Sequence, residues 1–188
     1  MSRRAGWQRC VMGWATAGAL LGPGAVAGAL AQEQPGLAGQ WVRNVEQSQS
    51  WQDKLAMVAD PLGGRGDQPE RRYFYAWLEG VFAHIDHLEI ELASNEATII
   101  FGDDMVRIFY LDRQHMRQSP EGVKIQAASR WIDGDLVVEQ AGAGGAKTTE
   151  RFSLLEGGQR LAHLLRLEDE RLEAPLQIRT VFDRVEAR

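Results

Sequence analysis

The residues best placed to do chemistry in this 188-residue chain are its four histidines, its acidic pairs and one glycine-rich loop. His84-Ile85-Asp86-His87 has metal-like spacing: two imidazoles at i and i+3 share a helical face, and Asp86 offers an oxygen. The same stretch is where a helical period gives way to a strand, which separates the side chains. Histidines near a helix C-terminus are in any case favoured by the dipole. No metal site is therefore assigned; His84 and His87 are the candidates, and His115 and His163 join them only through a coincidence of the fold. Gly142-Ala143-Gly144-Gly145-Ala146-Lys147-Thr148 has the look of a phosphate loop. Ala146 stands where glycine must precede the lysine, however, and no helix follows to offer its N-terminus. It reads as a hairpin loop. Ser129 and Ser153 sit mid-strand without the strained elbow of a nucleophilic serine. Asp103-Asp104 and Glu168-Asp169-Glu170 fall in turns, where charge is ordinarily solvated. No catalytic residue and no cofactor is assigned. Arg130, Arg151, Arg166 and Arg179 lie on the polar parity of successive strands and could form a strip for an anionic partner. Cross-strand pairing with Glu139, Glu150, Glu168 and Asp183 explains them better.

The elements that position these residues are of two kinds. Ser50-Trp51-Gln52-Asp53 has the spacing of a capping box, and Trp51, Leu55 and Val58 recur on one helical face. Pro61-Leu62-Gly63-Gly64-Arg65-Gly66 ends that helix. The Arg65-Gly66-Asp67 tripeptide needs no adhesive role, because Asp67 serves as the N-cap of a second helix with Pro69 and Glu70 in its first turn. Phe74, Trp77, Leu78, Val81, Phe82 and Ile85 give that helix a broad apolar stripe. A two-helix insertion over about residues 49–86 is predicted. From His87 the period becomes two. Leu88 to Leu92, Ala97 to Phe101, Met105 to Leu111, Val123 to Ile132, Leu136 to Gln140, Lys147 to Leu155, Leu161 to Leu167 and Leu176 to Arg184 read as strands. Asp133-Gly134 suits a type I′ hairpin, whose two central residues need positive φ. With the strand around Gly39–Trp41, this is a mainly β chain: an antiparallel meander closed into a barrel of about 8–9 strands, with the helices inserted after the first.

Residues 1–31 read as a targeting segment. Arg3, Arg4 and Arg9 precede an apolar run from Val11, and Ala29-Leu30-Ala31 before Gln32 fits signal-peptidase cleavage. The glycines and Pro23 make that run a poor membrane helix. Cys10 leaves with it, so the chain from Gln32 carries no cysteine and can form no disulfide. Residues 32–188 are expected to form one domain, periplasmic or secreted and without a stable membrane span. The chain has 21 basic and 26 acidic residues, a net of −5; without Arg3, Arg4 and Arg9 the basic count is 18 and the net −8. Such acidity argues against nucleic acid as a partner; a protein partner cannot be read from the sequence.

Leu37-x-Gly39-x-Trp41 with Asn44 and Ser48 resembles the opening of small exported bacterial lipocalin-like proteins, most of them uncharacterised. Ser129-Arg130-Trp131-Ile132-Asp133-Gly134-Asp135-Leu136-Val137-Val138-Glu139, Thr149 to Leu154 and Val181-Phe182-Asp183-Arg184 are similar to the same group. The resemblance implies a barrel end closed by Gly39 and Trp41, with Arg184 or Arg179 from the last strand stacked over the indole. It supplies no catalytic residue. By fold analogy it implies a carrier of a small apolar ligand, with Phe74, Trp77, Phe82 and Trp131 as candidate lining. The helical block departs from the resemblance and supports a second reading, an envelope structural or interaction module in which the same aromatics fill the barrel.

Overall fold

Strand β1 (Gly39–Arg43) starts on a glycine for a geometric reason. Gly39 has φ +136°, and a Cβ there would lie 2.9 Å from Arg184 Nη1. After β1 the backbone leaves the ladder and turns into helix α1 (Trp51–Val58). The Ser50 hydroxyl caps this helix by accepting from the Asp53 amide at 3.2 Å. Leu55 is buried, and Trp51 and Val58 pack against the core, which is the face that the sequence spacing predicts.

A computed structural model describes residues 36–58, 78, 82, 85–102, 105–118, 122, 124–142 and 145–186. All of these lie in one compact unit, Glu33–Arg188. The strands after α1 are β2 (His87–Ala93), β3 (Glu96–Phe101), β4 (Met105–Tyr110), β5 (Arg113–Gln118), β6 (Lys124–Ile132), β7 (Asp135–Gly142), β8 (Lys147–Leu155), β9 (Arg160–Glu168) and β10 (Leu176–Arg184). They form one antiparallel sheet in the order β4-β3-β2-β1-β10-β9-β8-β7-β6-β5. Every pairing is between sequence neighbours except β1 with β10, where the two ends of the domain meet. The β6–β7 turn has φ 53° at Asp133 and 87° at Gly134, as a type I′ turn requires.

The sheet curls until its two edges, β4 and β5, approach each other without forming a ladder. The joint is made instead by Ser129 of β6: its carbonyl accepts from the Asp112 amide at 2.8 Å, and its hydroxyl donates to the Tyr110 carbonyl at 3.0 Å. The result is a nearly closed barrel with a seam between β4 and β5. No helix among the described residues is long and apolar enough to cross a membrane.

One expectation needs correction. The barrel has ten strands, not 8–9, because β5 is absent from the sequence reading. Its sequence, Arg-Gln-His-Met-Arg-Gln, has no apolar alternation, so periodicity could not find it. Between β1 and β2 the helix described in full is α1, and Leu78 and Phe82, inside the second predicted helix, are helical as well. Most of the second predicted helix lies outside the described residues; Leu78 and Phe82 are buried, and Ile85 already belongs to the turn that enters β2.

Candidate functional site

Antiparallel pairing fixes which side chains point inward, because directly paired residues share a face. Arg107 pairs with Ile99, which is fully buried, so Arg107 also points inward. Its neighbours Val106 and Ile108 point out and are exposed. Strand β4 therefore inverts the usual pattern, with charge inside and apolar residues outside. The same logic turns Glu150 of β8 and His163 of β9 inward; both are only 2% exposed.

These residues meet across the barrel. Arg107 grips Glu150 with two parallel hydrogen bonds, Nη1 to Oε1 at 2.7 Å and Nη2 to Oε2 at 2.9 Å. Gln140 of β7 donates to Glu150 Oε1 at 3.1 Å, and His163 Nε2 lies 2.9 Å from Oε2. The His163 ring stacks on Phe152, with centroids 4.5 Å apart. The Arg107 guanidinium lies 4.2 Å over Phe101. Arg117 of β5 donates to Gln140 Oε1 at 2.9 Å and extends the network to the other side of the seam. The Phe109 ring is the shared neighbour, 5.8 Å from the Arg107 guanidinium and 5.5 Å from that of Arg117. The His115 ring meets it edge-on at 6.4 Å.

Burial alone would push the Glu150 carboxyl up, but Arg107, helped by His163, holds it well below the usual carboxylate range. Glu150 is an anion with both oxygens fully engaged. Arg117 differs. Burial lowers its pKa, the Arg107 charge lowers it further, and only the more distant Glu150 opposes them. Among the described residues Arg117 has no carboxylate partner. Among the described residues four buried side-chain polar atoms have no hydrogen-bond partner: Arg107 Nε and both ring nitrogens of His115 at the seam, and Arg43 Nε on β1. The interior side of the seam thus has more donors and more positive charge than the protein itself satisfies.

Of the residues singled out from sequence, His115, His163 and Glu150 fall in this network; the others lie elsewhere. Trp41 is buried, its indole donates to the Leu37 carbonyl at 3.1 Å, and the Arg184 guanidinium lies 4.1 Å over its ring. Arg184 also donates to the carbonyls of Gly158, Ala38 and Gly36. Arg179 is not the stacking residue; it pairs with Leu164 in the ladder, and its amide donates to Gln49 Oε1. Phe82 is buried and stacks on Trp51 at 5.5 Å. Trp131 packs, partly buried, against the core. Phe74, Trp77, His84, Asp67, the Arg65-Gly66-Asp67 tripeptide and Asp103-Asp104 lie outside the described residues. His87 is exposed at the start of β2, and no group of three or more potential metal ligands occurs among the described residues. Arg130–Glu139, Arg151–Asp135 and Arg166–Glu168 are ion pairs on the outer surface. Glu150, grouped with those outer acids by sequence, is the exception: it faces inward because β8 turns Thr148, Glu150 and Phe152 to one side. A shallow concavity of about 320 Å³ near the β8–β9 end carries Glu168, Asp169, Glu170 and Glu173 beside Lys147. Glu168 and Asp169 are already paired with Arg166 and Arg171, so it reads as a solvated acidic rim.

No protein-family model matches the chain, and no curated protein matches it in sequence. Solved structures do match in fold. Lipid binding protein 8 of Caenorhabditis elegans superposes with a TM-score of 0.54 at 11% identity, covering 80% of this chain and 96% of that one. The REP1-NXSQ fatty acid transporter gives 0.53 at 15%, covering 81% and 98%. A fatty acid binding protein of Schistosoma mansoni, solved with arachidonic acid, gives 0.51 at 10%, covering 81% and 98%. The fold is that of fatty-acid-binding and lipocalin-like barrels.

Proposed function

We propose that this protein is an exported carrier that holds a small apolar molecule inside its barrel. The observation that supports this most is the fold: a nearly closed ten-stranded barrel with a largely apolar inner face, whose solved neighbours include a lipid binding protein and a fatty acid binding protein solved with arachidonic acid. One observation favours the alternative of a filled envelope module: Phe82 stacks on Trp51 within the core rather than lining open space.

The test is titration of the full chain with the neutral fluorescent probe N-phenyl-1-naphthylamine, alongside native mass spectrometry of protein isolated from its own envelope. Saturable one-to-one binding and a co-purifying apolar molecule are the expected results. No saturable binding of the probe, or of any medium-chain lipid, would sink the carrier reading in favour of the filled module. The export part rests on the sequence of residues 1–31 and is checked separately. Envelope-fraction protein should begin at Gln32, and an intact Met1 on cytoplasmic protein would overturn it.

A further inference from the structure

We propose that the outer face of the β4–β5 seam is a docking surface for a second copy of this chain, which packs on it about a two-fold axis parallel to the two strands. The surface lies on the opposite side of the sheet from the barrel interior, so it does not depend on the carrier reading.

Strand parity makes the patch. Positions that alternate with the inward Arg107 and His115 face out, and Val106, Ile108 and Met116 there are 53%, 45% and 62% exposed. Ile100, paired with Val106 and half-buried, extends the patch onto β3. Edge strands are ordinarily guarded by charged side chains, proline or bulges, because a bare apolar edge invites association. Here the outward positions of both edges carry no charge: Tyr110 completes the row on β4, and Gln114 and Gln118 flank Met116 on β5. Exposed apolar side chains gathered in one place within a polar rim mark an interaction surface.

The charge of the rim points to the occupant. Glu89, Glu91 and Glu96 stand on the β2–β3 side, and Arg113 of β5 and Lys124 of β6 on the other. Among the described residues none of these five forms an ion pair. The ladder sets them in rows across the seam. Glu96 pairs with Tyr110, and the Arg113 guanidinium lies 4.1 Å over that ring. Towards the other end of the strands Glu89 aligns through Ile100 with Val106, and Gln118 pairs with Lys124. A two-fold axis parallel to the strands keeps each row at its height and exchanges its two sides. The acidic side of one copy then faces the basic side of the other in both rows. An axis across the strands would set acid against acid. Nucleic acid or an anionic membrane would be repelled by the three glutamates, whereas a second copy offers both signs where they are needed. Four apolar side chains and their rim fall short of the roughly 20–30 residues a side of a standard interface. The dimer should therefore be weak and reversible, with a Kd of about 10–100 µM.

Sedimentation velocity of the full chain over roughly 1–500 µM brackets that Kd. Reversible dimerisation that weakens with added salt is the expected result. Ile108→Lys and Met116→Lys should each weaken it at least about tenfold, while Val45→Lys, at an exposed valine away from the seam, should leave it unchanged. Glu96→Arg and Arg113→Glu should each weaken it, and the double variant should recover most of the loss. A chain that stays monomeric at the highest concentration overturns the inference. So does a dimer indifferent to both lysine variants, whose interface lies elsewhere, and so does a double variant that recovers nothing. If the monomer instead floats with phosphatidylglycerol vesicles, and Ile108→Lys abolishes flotation, the patch is a membrane surface and the inference falls. Should one variant not fold by circular dichroism, the other lysine variant and the salt dependence decide the matter.

Discussion

At the residue scale, Glu150 sits in the most demanding environment of the barrel. Removing one member of a buried, fully bonded ion pair leaves the other uncompensated, so Glu150→Ala should destabilise the fold by about 3–5 kcal/mol in urea unfolding. Replacing both members, as in Arg107→Met with Glu150→Leu, should cost far less. The pH dependence follows from the depressed folded-state pKa. Burial opposes ionisation, but Arg107 from β4 and His163 from β9 outweigh it, with Gln140 from β7 bonding the same carboxylate and Arg117 nearby. The stabilisation is therefore fully present above the ordinary carboxylate range and is lost as pH falls below about 4. Melts of the unmodified protein and Glu150→Gln should differ most at neutral pH and converge on acidification; a constant gap would show that Glu150 is not ionised in the folded state. Gly39 is the second sensitive residue. A side chain there meets both a positive φ and the Arg184 guanidinium, so Gly39→Ala should cost about 2 kcal/mol in the same assay.

At the scale of elements, the joint between β1 and β10 depends on a side chain where the ladder stops. The Ser48 hydroxyl donates to the Asn44 carbonyl at 2.6 Å and accepts from the Val181 amide at 3.0 Å, in place of a strand partner. Ser48→Ala should leave that amide unpaired at a cost of about 1–2 kcal/mol, measurable by urea unfolding. The seam predicts a gradient of protection. Strands β9 and β10 are laddered on both sides, whereas β4 and β5 each have one free edge. Amide exchange should therefore be fastest in β4 and β5 and slowest in β9 and β10; uniform protection would mean that the seam is closed by a ladder. Element scale is also where the sequence was least legible. Met105–Tyr110 reads as a strand but hides its orientation, because Val106 and Ile108 look like core residues and are exposed. Arg113–Gln118 does not read as a strand at all, and it carries both His115 and Arg117. A site built from charged residues on inward parity erases the alternation by which strands are found.

At the scale of the whole molecule, ten strands close on themselves except at one place, and the polar interior gathers beside that place. If the barrel holds an apolar molecule as proposed, that ligand should stabilise the fold through mass action. Saturating N-phenyl-1-naphthylamine should raise the melting temperature of the unmodified protein by several degrees. No shift in the unmodified protein would weigh against a ligand held inside the barrel.

The sequence by itself determined the meander, the first helix with its cap, and the type I′ turn at Asp133-Gly134. Those follow from local periodicity and from which residues tolerate a given φ, neither of which needs a distant partner. The resemblance also singled out Gly39 and Trp41 with Arg184 or Arg179, and the fold brings Arg184, not Arg179, into contact with both. Only the tertiary structure decided that Glu150 faces inward, that Arg107 crosses the barrel to meet it, and that Arg117 is left over. Inward and outward are properties of a closed sheet, and a lone charge on a strand carries no mark of its partner until closure brings that partner within reach.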